Sequence, residues 1–338
     1  MRPAVSATLQ DVATLAGVSI KTVSNVVRGY QHVRPSTRAR VQAAIDELGY
    51  VPHSIARRLA TGTTGMVAFA LPAIETPYFA ELAALVSTEI GGFDYRLLIE
   101  QTSGSLDDER AVLRGREQGL IDGLIFQPTE LDADAIEQFR GSTPLVLLGE
   151  IPPPPTVDHV MVDNIAAARA ATFHLLHSGR TRIAFLGYAA AAGHATASLR
   201  AEGYLSALEE CGAHRSDDLL IPMQRFGAFA AEAAVIDAIE TGVRFDGLVC
   251  FDDLAGIGAM KALARAGRVV PDDVGVVGWD DILMSNFTNP GLTTVRPDKP
   301  TLTRTAFRML RERMDGAGGP GRHETVGFDL VVRGSTAS

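Results

Sequence analysis

Cysteine is nearly absent. Cys211 and Cys250 are the two in 338 residues, and they fit neither a disulfide framework nor a set of metal ligands. Both are expected as thiols, buried or free, in a reducing cytoplasm. No apolar run reaches membrane-spanning length, and no signal-peptide pattern precedes the first helix. The expectation is a cytoplasmic protein without a membrane partner, which disfavours a secreted sugar-binding protein. Catalytic signatures are missing as well. There is no Gly-x-Ser-x-Gly nucleophile elbow. Gly256-Ile257-Gly258 lacks the continuation of a dinucleotide fingerprint. His174 and His177 fall three apart on a predicted helix with no third ligand evident. These absences argue against an enzyme, a metal site and a bound cofactor. The chain also lacks a short-period repeat, and it has no heptad tail that would build a tetramer.

What is present divides unevenly. A length of 338 residues suggests two or three domains, and 46% hydrophobic residues support buried cores. The net charge of −9 conceals a split. Residues 1–62 hold eight Lys/Arg against three acids, a net of +5, so the remainder carries −14. A small basic head on an acidic body fits a head that touches phosphates and a body that does not.

The head has a local pattern of its own. Thr8 is placed to cap a first helix, with Asp11 as its capping-box partner. Leu9, Val12, Ala13 and Ala16 give that helix one apolar face. Gly17 ends it, because the turn needs a residue that tolerates positive φ. Ser19 then caps a second helix whose Val23, Val26 and Val27 face inward. Two helices joined by such a turn form a helix-turn-helix, whose second helix enters the major groove of double-stranded DNA. A third helix is expected from about Ser36, its cap, to Leu48, with Val41, Ala44, Ile45 and Leu48 inward and Gly49 as its stop. A short helical stretch, His53 to Ala60, and a flexible Thr61-Gly62-Thr63-Thr64-Gly65 linker follow.

The ordered string Thr8-Leu9-x-Asp11-Val12-Ala13-x-x-Ala16-Gly17-Val18-Ser19-x-x-Thr22-Val23-Ser24 resembles the N-terminal signature of the lactose/galactose repressor (LacI/GalR) family of bacterial transcription regulators. The resemblance continues through Val33 to Val41, Leu48 to Pro52 and Ala56 to Ala60. It implies that Ile20, Lys21 and Asn25 sit where operator preference varies in the family. By chemistry, Lys21 suits guanine O6/N7, Asn25 suits adenine, and Ile20 suits a thymine methyl. Thr22 and Ser24 hydroxyls suit phosphates, and Thr8, Ser19 and His53 are also candidates for DNA contact. The resemblance further implies a hinge helix that folds on DNA beside its dimer mate and drives Leu59 into the minor groove, with Ala56 at a matching position. His53 stands where the family usually has Asn.

From Met66 the pattern changes. Continuous apolar runs recur at Met66 to Leu71, Arg96 to Ile99, Gly123 to Phe126, Leu145 to Leu148, Ile183 to Leu186, Gly247 to Cys250 and Val274 to Gly278. Helical segments lie between most of them. Such alternation predicts parallel sheets covered on both faces, and so many units predict two lobes, the first closing near Gly149. The resemblance implies two doubly wound α/β lobes of periplasmic-binding-protein type, with three chain crossings between them. Gly316 to Gly321 reads as a late, flexible crossing, and Glu324 to Arg333 as a terminal strand. The expected domains are a head at 1–52, a hinge helix and linker at 53–65, and a two-lobed effector-binding and dimerisation domain at 66–338.

A ligand of such a body sits at the carboxyl ends of the strands. Polar groups follow the apolar runs there: Asp280 and Asp281 after Trp279, Asp252 and Asp253 after Phe251, and Arg200 at the opening of a helix. Carboxylates and a guanidinium pair with vicinal hydroxyls, while Tyr78, Phe79 and Phe226 offer faces for the apolar side of a ring. The resemblance implies the same set. Arg200 and Asp280 match its most regular effector contacts, and Phe79 and Phe226 match aromatic positions. Glu150 stands where Asp is frequent, and Asp252 where Asn is frequent. The extra charge of Asp252 disfavours an anionic effector.

Together these readings predict a sequence-specific DNA-binding regulator, in the manner of a repressor. It would bind a pseudo-palindromic operator as a homodimer and respond to a small effector, best a neutral sugar. A purine- or nucleoside-responsive corepressor-type regulator is the alternative. A cytoplasmic sugar-binding protein with a non-functional head, or a catalyst on a sugar or nucleoside, stands further off.

Overall fold

The computed structural model describes residues 7–27, 30, 32–50, 63–139, 141–188, 195–223 and 225–337. The chain divides into two compact units, with the boundary between Thr64 and Gly65.

The first unit contains α1 (Leu9–Ala16), α2 (Ile20–Val27) and α3 (Pro35–Leu48). The capping box of α1 forms in both directions: Asp11 N–H donates to Thr8 Oγ1, and Thr8 N–H donates to Asp11 Oδ2 at 2.8 Å. Gly17 takes the left-handed conformation at φ 63°. Thr22 N–H donates to Ser19 Oγ at 3.1 Å, so Ser19 caps α2. Val12, Ala13, Ala16, Val23, Val26, Val41, Ala44 and Tyr50 form the core of this unit.

Two details of α3 differ from expectation. The helix begins at Pro35, flanked by Arg34, and Ser36 is exposed and makes no cap. Proline has no N–H to leave unsatisfied and a pre-set φ, so it takes the first helical position itself. Leu48 is exposed, and Tyr50 fills its expected place in the core. The reason is the left-handed Gly49 stop at φ 57°, after which Tyr50 N–H returns to the Ile45 carbonyl at 3.0 Å and swings the ring inward.

The second unit has two lobes, each built on one six-stranded sheet. The first lobe holds β1 (Met66–Leu71), β2 (Arg96–Gln101), β3 (Gly123–Phe126), β4 (Leu145–Leu148), β5 (Asp158–Val162) and β11 (His323–Val326). Their order is β11-β5-β4-β3-β1-β2, and every pairing is parallel. Helices α4 (Pro77–Gly91), α5 (Leu106–Gly115), α6 (Ala133–Gln138) and α11 (Lys299–Met314) belong to this lobe.

The second lobe holds β6 (Ile183–Tyr188), β7 (Leu220–Pro222), β8 (Gly247–Cys250), β9 (Gly275–Trp279), β10 (Thr293–Pro297) and β12 (Phe328–Val331), in the order β12-β10-β9-β8-β6-β7. Among the described residues, only the β10–β12 pairing is antiparallel. Helices α7 (Asn164–His177), α8 (Ala195–Glu210), α9 (Ala228–Glu240) and α10 (Asp253–Arg265) complete it. The central strands are buried on both faces, the burial that continuous apolar runs predict for parallel sheets.

The chain crosses between the sheets after Val162, after Pro297 and after Val326. The expectation of three crossings holds, but not at the expected places. The first lobe does not close near Gly149, since β5 and β11 extend its sheet. Gly316 to Gly321 is no crossing. It joins α11 to β11 within one lobe, held by Arg313 donating to the carbonyls of Ala317, Gly319 and Pro320. Glu324 to Arg333 is not one strand, because Gly327 separates β11 from β12 in different sheets. The sequence pattern of β5 and β11 is weak because each carries polar residues. Asp158 of β5 is fully buried against Arg313 and Arg322 at 2.8 and 2.7 Å, and those guanidiniums hold its carboxyl well below the usual range.

Candidate functional site

On the first unit, α2 presents Ile20 and Lys21 to solvent, with Thr22, Ser24 and Asn25 half-buried beside them. Ile20 is 45% exposed, so its side chain is available on the outer face of α2. A shallow depression joins Val18, Ser19, Thr22 and Asn25 to His32, Arg34, Thr37 and Arg40. The Ser19 and Thr22 hydroxyls bond each other at 2.9 Å. Thr8 is occupied in the α1 cap. Arg38, counted above in the basic head, donates to the Tyr30 carbonyl at 2.6 Å and steadies the turn before α3. His53, Ala56 and Leu59 lie outside the described residues.

In the second unit four of the expected effector residues, Tyr78, Glu150, Asp252 and Asp280, converge from both lobes on Arg200, while Phe79 packs on the first-lobe core instead. Tyr78 and Phe79 open α4, Glu150 follows β4, Asp252 follows β8, and Asp280 follows β9. Arg200 lies in the second turn of α8, which is already formed at Ala195, so it does not open the helix as the sequence suggests; it is 7% exposed. Its Nε donates to Asn164 Oδ1 at 2.8 Å, and one Nη donates to the Phe251 carbonyl. Its guanidinium carbon lies 3.8 Å from the Trp279 ring centre and 4.9 Å from that of Phe251. Phe226 stacks on Phe251 at 4.1 Å, so this aromatic wall reaches the arginine. Tyr78 and Phe79 pack edge to face at 5.3 Å on the first-lobe core.

The electrostatics are lopsided. Burial pulls the Arg200 guanidinium down, and the charges of Asp280, Glu150 and Asp252 oppose that pull. Burial pushes the Asp280 carboxyl well up, against the stabilising charge of Arg200. Asp252 is also pushed up by burial, offset by the Ala255 N–H that donates to its Oδ1 at 2.6 Å. Asp252 is therefore the N-cap of α10 as well as a neighbour of Arg200. Burial raises the Tyr78 hydroxyl, and Asp280 and Glu150 add to it. Glu150 accepts from Asn164 Nδ2 at 2.8 Å and from Thr196 Oγ1 at 2.6 Å, both bonds joining the two lobes. Three carboxyl groups thus share one guanidinium whose donors are partly taken up by the protein. Such a site is completed by a ligand that brings hydrogen-bond donors rather than negative charge.

Four further residues belong to this geometry and were missed in the sequence, Asn164, Thr196, Phe251 and Trp279, and Gln127 lies beside Gly149, the neighbour of Glu150. Gln127 follows β3 as Asp280 follows β9, a positional signal available in advance. It is 9% exposed, its Oε1 has no hydrogen-bond partner, and it packs under Gly149. Asn164 and Thr196 carry no such signal. They meet Glu150 and Arg200 through long-range packing alone. Among the described residues, no cluster of His, Cys, Asp and Glu could hold a metal ion, and no helix is long and apolar enough to cross a membrane.

A helix-turn-helix head with an exposed second helix, joined to a two-lobed body with a polar site where strands end, defines a ligand-sensing DNA-binding regulator. Comparison with known proteins agrees. Residues 8–53 match the family described as bacterial regulatory proteins, lacI family, and residues 172–336 match a periplasmic binding protein-like domain. The HTH-type transcriptional repressor PurR of Photobacterium profundum is 30% identical, covering 97% of this chain and 98% of its own. The transcriptional regulator CelR, solved as a cellobiose complex, is 28% identical with a TM-score of 0.72, covering 97% of this chain and 99% of its own. The lac repressor dimer bound to operator and the anti-inducer ONPF shares the fold at a TM-score of 0.87 and 24% identity, covering 99% of this chain and all of its own. The chain belongs to the lacI family of bacterial regulatory proteins, and it is a DNA-binding transcription regulator.

Proposed function

We propose that this regulator is a repressor whose effector is a neutral, hydroxyl-rich molecule, best a sugar, bound between the two lobes at Arg200 and Asp280. The observation that carries the reading is the imbalance of Glu150, Asp252 and Asp280 around one partly engaged arginine. An anionic ligand would add to that imbalance, whereas hydroxyls supply the donors that buried carboxylates need. Phe226, exposed and stacked on Phe251, offers a flat face for the apolar side of a ring, while Trp279 is buried beneath Arg200 and backs the guanidinium. The cellobiose complex of CelR supports this choice.

Operator recognition falls to Lys21, Asn25 and Ile20, with Ser19, Thr22 and Ser24 on phosphates and Ala56 and Leu59 at the operator centre. Two chains would read the two half-sites of a pseudo-palindrome from the cytoplasm. Leu283, Met284 and Phe287 are 67%, 55% and 74% exposed, apolar surface that suits a second copy of the chain. We read the chain as a binding protein and assign it no catalytic step.

A thermal-shift screen of the full-length protein against monosaccharides, disaccharides, polyols, nucleosides and purines tests the effector class. A ligand at a hundred times its dissociation constant adds about 2.7 kcal/mol. A sugar that stabilises the wild type but not Asp280→Ala upholds the reading. Stabilisation by a purine or nucleoside alone overturns the sugar assignment and favours the corepressor-type alternative.

A further inference from the structure

We propose that Glu81 and Lys299 form a latch on the first lobe that grips the Asp280–Leu283 segment of the second lobe and thereby sets the angle between them. This deepens the effector reading, and rests on it, by naming how the site would move the lobes.

Both jaws belong to the first lobe. Glu81 lies on α4, and Lys299 is the first residue of α11, whose Leu302, Ala306, Phe307 and Leu310 sit in the first-lobe core. The gripped segment belongs to the second lobe. Asp280 N–H donates to the Val295 carbonyl at 2.8 Å, Asp281 N–H to Thr294 Oγ1 at 3.2 Å, and Ile282 N–H to Asp253 Oδ2 at 2.9 Å. The next bonds cross between lobes. Leu283 N–H donates to Glu81 Oε1 at 3.3 Å, and Lys299 Nζ donates to the carbonyls of Asp280 and Asp281 at 2.8 and 3.4 Å. Lys299 also pairs with the other Glu81 oxygen.

Asp280 and Asp281 have φ of 104° and 47°, a region non-glycine residues avoid unless the surroundings impose it. The Lys299 contact to both carbonyls and the Arg333 contact to Asp281 at 2.6 Å surround that turn. Lys299 is 8% exposed, and a buried ammonium needs these acceptors. It keeps them only while the lobes hold this angle. The residue whose carboxyl faces Arg200 is thus the residue whose carbonyl is held from the other lobe. A ligand on the Asp280 side chain and the latch on its backbone act on one turn.

The test uses full-length protein without effector or DNA. Cys211 is exposed on the second lobe, Cys250 is buried, and Ser87 is exposed on α4. Spin labels on Cys211 and on a Ser87→Cys site report the inter-lobe distance by double electron–electron resonance, with labelled chains diluted into unlabelled ones. Lys299→Met is expected to shift or split the distance distribution, and Lys299→Arg to preserve the parental one. If Lys299→Met superimposes on the parent, the latch is overturned. Should Lys299→Met fail to fold, Glu81→Gln decides in the same way. The measurement involves no ligand, so its failure leaves the effector reading standing, and the thermal-shift screen can fail without touching it.

Discussion

The guanidinium carbon of Arg200 lies 3.8 Å from the centre of the Trp279 ring, with Asn164 holding its Nε at 2.8 Å. Stacking on one side and a directional bond in the plane fix the cation where the carboxyl groups of Asp280, Glu150 and Asp252 meet it. Lysine has neither the plane to stack nor the fork to span these partners. Arg200→Lys is therefore expected to lower effector affinity at least tenfold, about 1.4 kcal/mol. Operator affinity without effector should stay within a few-fold. Calorimetry with the sugar found by thermal shift, beside an anisotropy titration of operator DNA, checks both.

Gln127 presents the opposite situation, a buried amide oxygen without a partner. An unsatisfied buried acceptor costs about 1–3 kcal/mol. Gln127→Met removes that cost at similar volume, so the ligand-free protein is expected to melt at an equal or higher temperature. If the oxygen serves a ligand hydroxyl, the same variant binds effector more weakly. A rise in melting temperature together with unchanged effector affinity would detach Gln127 from the site.

Asp253 supplies a pH dependence. It is fully buried and accepts from Ser285 Oγ at 2.6 Å, Thr294 Oγ1 at 2.6 Å and Ile282 N–H at 2.9 Å. Burial raises its carboxyl to about 7, despite these bonds. A raised acid binds its proton more tightly in the folded state. Its effect on stability is therefore a penalty that begins near the unfolded pKa of about 4, grows with pH at up to about 1.4 kcal/mol per unit, and levels off near 7. Asp253→Asn cannot titrate. The wild type is expected to lose stability relative to Asp253→Asn as pH rises from 4.5 to 7, measured by urea unfolding at several pH values. A constant difference across that range would contradict the assignment.

On the head, base contacts and phosphate contacts separate by experiment. Asn25 lies on α2 beside the exposed Lys21, while Arg40 lies on α3 at the edge of the same depression. Asn25→Ala is expected to cost about 1–3 kcal/mol at one operator position and to relax preference there. Arg40→Ala is expected to weaken all sequences alike and to reduce the salt slope by about one. Anisotropy titrations with operator variants at three salt concentrations distinguish the two patterns.

Much of the architecture is legible from local signals. Thr8, Asp11, Gly17 and Ser19 punctuate the head because caps and left-handed turns depend on residues within four positions of each other. The runs from Met66 to Leu71 and from Gly247 to Cys250 announce central parallel strands because both of their faces are buried. Local signals fail where a strand lies at an edge or carries a paired charge. β11 has three exposed residues of four, and β5 begins with a buried aspartate that two distant arginines neutralise. For that reason the sequence pattern misplaces the crossings, and the glycine-rich loop at 316–321 reads as one of them.

The same division holds at the site. Asp280 and Asp252 stand in the sequence just after apolar runs, so position alone points to them, whereas Arg200 lies within α8, which is already formed at Ala195. The grip of Lys299 on the Asp280 carbonyl, the bridge from Thr196 to Glu150 and the face of Trp279 beneath Arg200 cannot be read that way. The sequence by itself determined the helix-turn-helix, the strand runs and the residues available at their ends, because those depend on neighbours along the chain. Only the tertiary structure decided which donors meet which acceptors across the two lobes, because those partners are up to about two hundred residues apart and meet only once both sheets and their helices have packed.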